Sequence, residues 1–76
     1  MILIQLEGGL VQGVFSDEPA AIGTDVALAD YDPEAYDNDD LVDVFGDGDR
    51  FDVRVLTVRE MRSSITKTIE IWRDQQ

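Results

Sequence analysis

The side chains in this chain that could do chemistry are nearly all carboxylates, and they are concentrated. From Asp30 to Asp52 the sequence reads D-Y-D-P-E-A-Y-D-N-D-D-L-V-D-V-F-G-D-G-D-R-F-D, with ten acids and one base, Arg50. Three chemistries use carboxylates at such density. Two of them can share acid and base work in glycoside hydrolysis. Alternating oxygens can cage a calcium ion. A crowd of surface anions can occupy a protein surface built for phosphates.

Catalysis is excluded first. The chain has no His and no Cys, and Lys67 is its one Lys. Ser16, Ser63 and Ser64 therefore have no histidine to activate them as nucleophiles. A chain of 76 residues leaves little room for the water-excluding cleft that a carboxylate pair requires. The expectation is a non-enzymatic protein without a cofactor.

Calcium is the nearer alternative. Asp47, Asp49 and Asp52 place oxygens in G-D-G-D-R-F-D. The EF-hand pattern wants an acid or amide at the fifth position, Gly at the sixth and Glu at the twelfth. Counting from Asp47, those places hold Phe51, Asp52 and Val58. Gly and Asp also supply turn geometry with no metal. These three are weak ligand candidates, and Asp37-Asn38-Asp39-Asp40 is another.

Charge layout carries more. Residues 1–49 contain thirteen acids and no Lys or Arg, whereas residues 50–76 contain six bases and four acids. The two parts carry −13 and +2 of the net −11. Direct binding to nucleic acid is disfavoured, because phosphates would be repelled. Burying unpaired carboxylates costs several kcal/mol each, so they are expected at the surface. There they would meet a basic partner: Asp30, Asp32, Glu34, Asp37, Asp39, Asp40, Asp43, Asp47 and Asp49 are the candidate partner-binding residues. Alternate residues of an extended chain lie about 6.6 Å apart. DNA spaces its charges at about 3.4 Å along each strand. Spaced aspartates can thus imitate phosphates for a nucleic-acid-binding protein. The bland reading is solubility, which net charge also supplies. A structural homo-oligomer, acidic body against Arg-bearing helix, is the main alternative.

The elements that must hold these groups follow from periodicity. Ile2, Ile4 and Leu6 alternate with Leu3, Gln5 and Glu7, which predicts a strand. Gly8-Gly9 suits a two-residue hairpin turn, and Leu10–Phe15 is the return strand, with Gly13 marking a bulge or close approach. Ser16-Asp17-Glu18-Pro19 opens a short turn that ends at Gly23. Thr24–Tyr31 is a third strand with Val26 and Leu28 inward. Asp32-Pro33-Glu34 is helix-start chemistry, for one helical turn or a structured loop from Pro33 to Asp40. Leu41–Phe45 and Phe51–Leu56 predict a hairpin around G-D-G-D.

Thr57 and Glu60 have capping-box spacing, and Leu56 and Met61 are placed as its hydrophobic staple. Val58, Met61, Ile65, Ile69 and Trp72 then form a helical stripe. The β-branched run Ile65–Ile71 argues for a strand instead. The capping box, the stripe and the absence of Gly and Pro favour the helix.

The segments L-E-G-G-L-V-Q-G-V-F-S-D and A-D-Y-D-P-E resemble those of a family of short uncharacterised proteins from bacteria and their mobile elements. The likeness covers roughly residues 4–45. It implies a mobile-element origin and transfers no function.

The combined expectation is an α+β fold over residues 1–76 as one small acidic domain. It has an antiparallel sheet of four or five strands with one C-terminal α-helix packed on it. No apolar run approaches the roughly 20 residues of a membrane span, and the N-terminus lacks signal-peptide chemistry. The expected address is cytoplasmic. The expected role is a protein-binding module of the inhibitor type, a nucleic-acid mimic. A homo-oligomer is the alternative and a calcium-binding domain the second alternative.

Overall fold

The computed structural model describes residues 1–31 and 41–76. The fold is α+β: strands β1 (Ile2–Glu7), β2 (Leu10–Ser16), β3 (Asp25–Asp30), β4 (Asp52–Thr57) and β5 (Arg59–Glu60), then helix α1 (Ser63–Asp74). The strands form two sheets rather than one. The first has the order β1-β2-β5, and the second pairs β3 with β4. The chain divides into two compact units, Met1–Val26 with Thr57–Gln76, and Ala27–Leu56.

The first unit is built on the predicted hairpin. Gly8 and Gly9 both have positive φ, 58° and 79°, the twist that a two-residue turn between right-twisted strands needs. Pairing is antiparallel from Ile2↔Ser16 to Glu7↔Leu10. It slips by one residue between Gln5 and Leu6, which face Gly13 and Val11. Gln12 is therefore the extra residue, next to the glycine that the sequence marked. The other edge of β2 takes β5 in parallel, with Phe15↔Arg59 and Ser16↔Glu60.

The core of this unit is small: Val14, Val58 and Met61 are its buried apolar residues. Ser16 is fully buried, and its polar groups are satisfied. Its hydroxyl donates to the Met1 carbonyl at 3.0 Å and accepts from the Glu18 N–H at 3.1 Å. Its carbonyl accepts the Met61 N–H at 2.9 Å. The predicted turn forms, with Ala21 N–H donating to the Glu18 carbonyl, and it ends at Gly23 with φ 87°.

Two expectations fail in informative ways. The helix does not start at the T-x-x-E box. Thr57 closes β4 and donates to Asp25 Oδ1 at 3.3 Å, while Glu60 lies in β5. The helix begins at Ser63, after Arg62 in extended backbone with no side-chain cap. A cap contributes about 1 kcal/mol, whereas burying a Val or Met side chain contributes about 1.5–3 kcal/mol. Val58 and Met61 are buried from non-helical backbone, so burial overrides the local signal. Val58 is held there by two bonds, its N–H to the Thr24 carbonyl and its carbonyl from the Gly23 N–H, both 2.9 Å. These bonds, within the first unit, hold Val58 between the end of β4 and the start of β5.

The helix itself is as expected over 63–74, despite its β-branched run. Thr68 directs its hydroxyl to the Ser64 carbonyl at 2.8 Å, the local bond that lets threonine sit in a helix. No helix residue is buried; Thr66 and Ile69 are half-buried. Trp72 is 59 % exposed, so the stripe does not deliver its last member to a core.

Along β3, Val26 and Leu28 are half-buried and Ala27 and Ala29 exposed, the expected alternation. Strands β3 and β4 are antiparallel, since Asp25 opening the one meets Thr57 closing the other. Leu41–Phe45 is not a strand. Within it only Val42 pairs, in a single antiparallel bridge with Phe51, because residues 43–50 are gathered into a loop by Asp43.

Candidate acidic interaction surface

The bridge sets the geometry of the acidic loop. Val42 and Phe51 exchange both backbone bonds, at 2.8 and 2.9 Å. Residues 43–50 loop out between them. Gly46 and Gly48 have φ of 72° and 93°, and Asp43 gathers both of their N–H groups, at 2.8 Å on Oδ1 and 3.0 Å on Oδ2. Asp47 Oδ1 accepts the Asp49 N–H at 3.1 Å. Arg50 donates to the Leu41 carbonyl at 3.2 Å and pairs with no acid among the described residues. The short side chain of aspartate makes this local bonding possible.

The candidate residues thus fall into three groups. Asp43 and Asp47 shape the loop while remaining exposed. Asp30, Asp49 and Asp52 are exposed and make no side-chain hydrogen bond or ion pair among the described residues. Asp32, Glu34, Asp37, Asp39 and Asp40 lie outside the described residues, as does the helical turn or structured loop expected over Pro33–Asp40. Among the described residues no three acidic side chains gather as a metal site would require, Asp47, Asp49 and Asp52 included.

Ion pairing is sparse. Among the described residues the only partner found by a carboxylate is the α-amino group of Met1, with Asp17 at 2.8 Å and Glu18 at 3.5 Å. The hydrogen bond from the amine holds the Asp17 carboxyl below its ordinary range, against the opposing effect of desolvation. The same bond raises the amine. Thr66 Oγ1, buried without a hydrogen bond of normal geometry, also acts to lower Asp17. Ser16, considered above as a nucleophile, is a structural hydroxyl.

Sequence reading missed the apolar part of this surface. Phe51 stacks against Tyr31, with ring centroids 5.5 Å apart and tilted, and against Phe45, 5.4 Å apart and edge-on. Phe45 is 70 % exposed and Tyr31 52 %. Strand alternation put Phe51 at the start of a hairpin strand but gave no sign that two further rings would join it. No helix among the described residues is long and apolar enough to cross a membrane. Compared with protein-family models, curated proteins and solved structures, the chain matches none.

Proposed function

We propose that this protein is a non-enzymatic binding module that presents carboxylates to a basic surface on another protein, as an inhibitor standing in for nucleic acid. The observation that carries this reading is the unneutralised acid of the unit Ala27–Leu56. That unit contains ten acids and two arginines, net −8, and none of its described carboxylates is ion-paired. Arg54, Arg59, Arg62, Lys67 and Arg73 make no ion pair among the described residues either. The likeness of the N-terminal segments to mobile-element proteins accords with an inhibitor carried by such an element.

The test is capture from a bacterial lysate with this protein as bait, with and without competing duplex DNA. A nucleic-acid-binding protein recovered without DNA and lost with it is the expected result. A partner that holds DNA and this protein together without mutual weakening rules out mimicry. The second reading is a homo-oligomer. It is favoured by exposed Ile2, Ile4 and Leu6 on β1, an edge strand of the first sheet. Light scattering at low and high salt separates the two readings.

A further inference from the structure

The rings of Tyr31, Phe51 and Phe45 form one connected run within the unit Ala27–Leu56. The middle ring is half-buried and the outer two exposed. Each ring has an exposed aspartate within two residues in sequence: Asp30 beside Tyr31, Asp43 near Phe45, and Asp49 and Asp52 around Phe51. Among the described residues no cation covers these faces. Among the described residues the one guanidinium placed over a ring is Arg59, on Phe15. Arg50, the neighbour of Phe51 in sequence, points its guanidinium at the Leu41 carbonyl.

We propose that this aromatic run is the anchoring surface for arginine side chains of the basic partner. The proposal rests on the reading of the protein as a basic-surface binder, and it names what that surface selects. A guanidinium is planar and weakly hydrated, so it can lie on a ring face while its N–H groups reach a carboxylate. A lysine ammonium is a compact, strongly hydrated charge that gains less from a ring. Exposed rings also stack nucleobases, but the net charge of −8 on this unit repels the phosphates that accompany bases. An arginine-bearing protein segment satisfies rings and charge together.

The test titrates oligo-arginine and oligo-lysine peptides of equal length into the full chain at low salt, with ring-proton NMR as the readout. Oligo-arginine is expected to bind more tightly by about two- to fivefold for each ring engaged. It should shift the Tyr31 and Phe45 ring signals. Phe45→Leu keeps apolar bulk and removes the ring. It should abolish part of the arginine preference while leaving oligo-lysine affinity unchanged. Tyr31→Leu provides the same comparison at the other end of the run. Both positions are exposed, so both variants should keep the wild-type circular dichroism. Equal affinity for the two peptides, or a preference that survives both substitutions, overturns the arginine proposal and leaves the basic-surface reading in place. Binding of neither peptide overturns both. A preference for oligo-uridylate over either peptide assigns the rings to nucleobases and overturns the proposal.

Discussion

The Arg59 guanidinium lies 4.7 Å from the centroid of the Phe15 ring, and Gly13 leaves the space that lets it do so. A Cβ at Gly13 would come within 2.9 Å of the Phe15 ring and 3.0 Å of the Arg59 guanidinium. These residues belong to β2 and β5, so the contact ties the parallel pair together by its side chains. Gly13→Ala is expected to destabilise by about 1–3 kcal/mol, the usual cost of overpacking. Arg59→Ala frees one of the two crowded groups, so the cost of Gly13→Ala should be smaller in that background. Urea denaturation of the four proteins in this double-mutant cycle checks the coupling, and strict additivity would show that Gly13 and Arg59 do not compete for space.

Core truncations should rank by burial rather than by size. Met61→Ala is expected to cost about 2–5 kcal/mol, because Met61 is buried. Trp72→Ala is expected to change stability by less than about 1 kcal/mol, since Trp72 is 59 % exposed. Thermal melts of the two variants decide this. A larger loss at Trp72 would mean that the end of the helix is packed.

Sequence reading located the pieces better than their joins. The first hairpin was legible because Gly-Gly and the alternation of Ile2 to Glu7 are local signals, read by backbone geometry alone. The helix was legible for the same reason, but its start was not. Where α1 begins depends on Val58 meeting Gly23 and Thr24, and Met61 meeting Ser16, across the chain, and no local signal encodes those meetings. The single bridge of Val42 with Phe51 in place of a longer hairpin likewise turns on Asp43 drawing the Gly46 and Gly48 amides into a loop, which strand alternation does not encode. For the candidate site, composition announced the acids. It could not separate those that hold the loop, Asp43 and Asp47, from those with no internal bond, Asp30, Asp49 and Asp52.

That division refines the charge test. Asp30→Asn, Asp49→Asn and Asp52→Asn each remove one charge without removing a side-chain hydrogen bond among the described residues. Each should weaken partner binding by about 0.2–1 kcal/mol, the range for exposed pairs. Losses should add where the sites are well separated. Asp43→Asn removes a charge and also one of two loop acceptors, so it should cost more than the other three. Calorimetry with the captured partner at several ionic strengths measures both effects. Equal losses at all four positions would mean that loop shape does not contribute.

The pair between Met1 and Asp17 sets a pH signature for the chain beginning at Met1. Asp17 is lowered in the fold, so its contribution is complete above the unfolded value of about 3.9 and fades as pH falls through the folded value. The amine is raised, so its contribution is complete below about 7.7–8.0 and fades as pH rises through the folded value. This component of stability should therefore plateau from mildly acidic to neutral pH and decline on both sides. Asp17→Asn should flatten both declines in a series of melts. A variant that loses only the acid-side decline would show that the amine is held by Glu18 instead.

The two backbone bonds between Val42 and Phe51 make residues 43–50 a closed ring within the chain. Opening that ring needs one bridge and the exposed Arg50–Leu41 bond beside it to break, so it should be a sub-global event of low free energy. In deuterated solvent the Val42 and Phe51 amides should then exchange together, at the rate of that opening, ahead of the amides of the first hairpin. The Gly46 and Gly48 amides, held only by Asp43, should exchange no more slowly than the bridge allows. Since Phe51 is also the middle ring of the aromatic run, each opening unseats the ring that joins Tyr31 to Phe45. A bound partner would therefore register first as slowed exchange at two backbone positions.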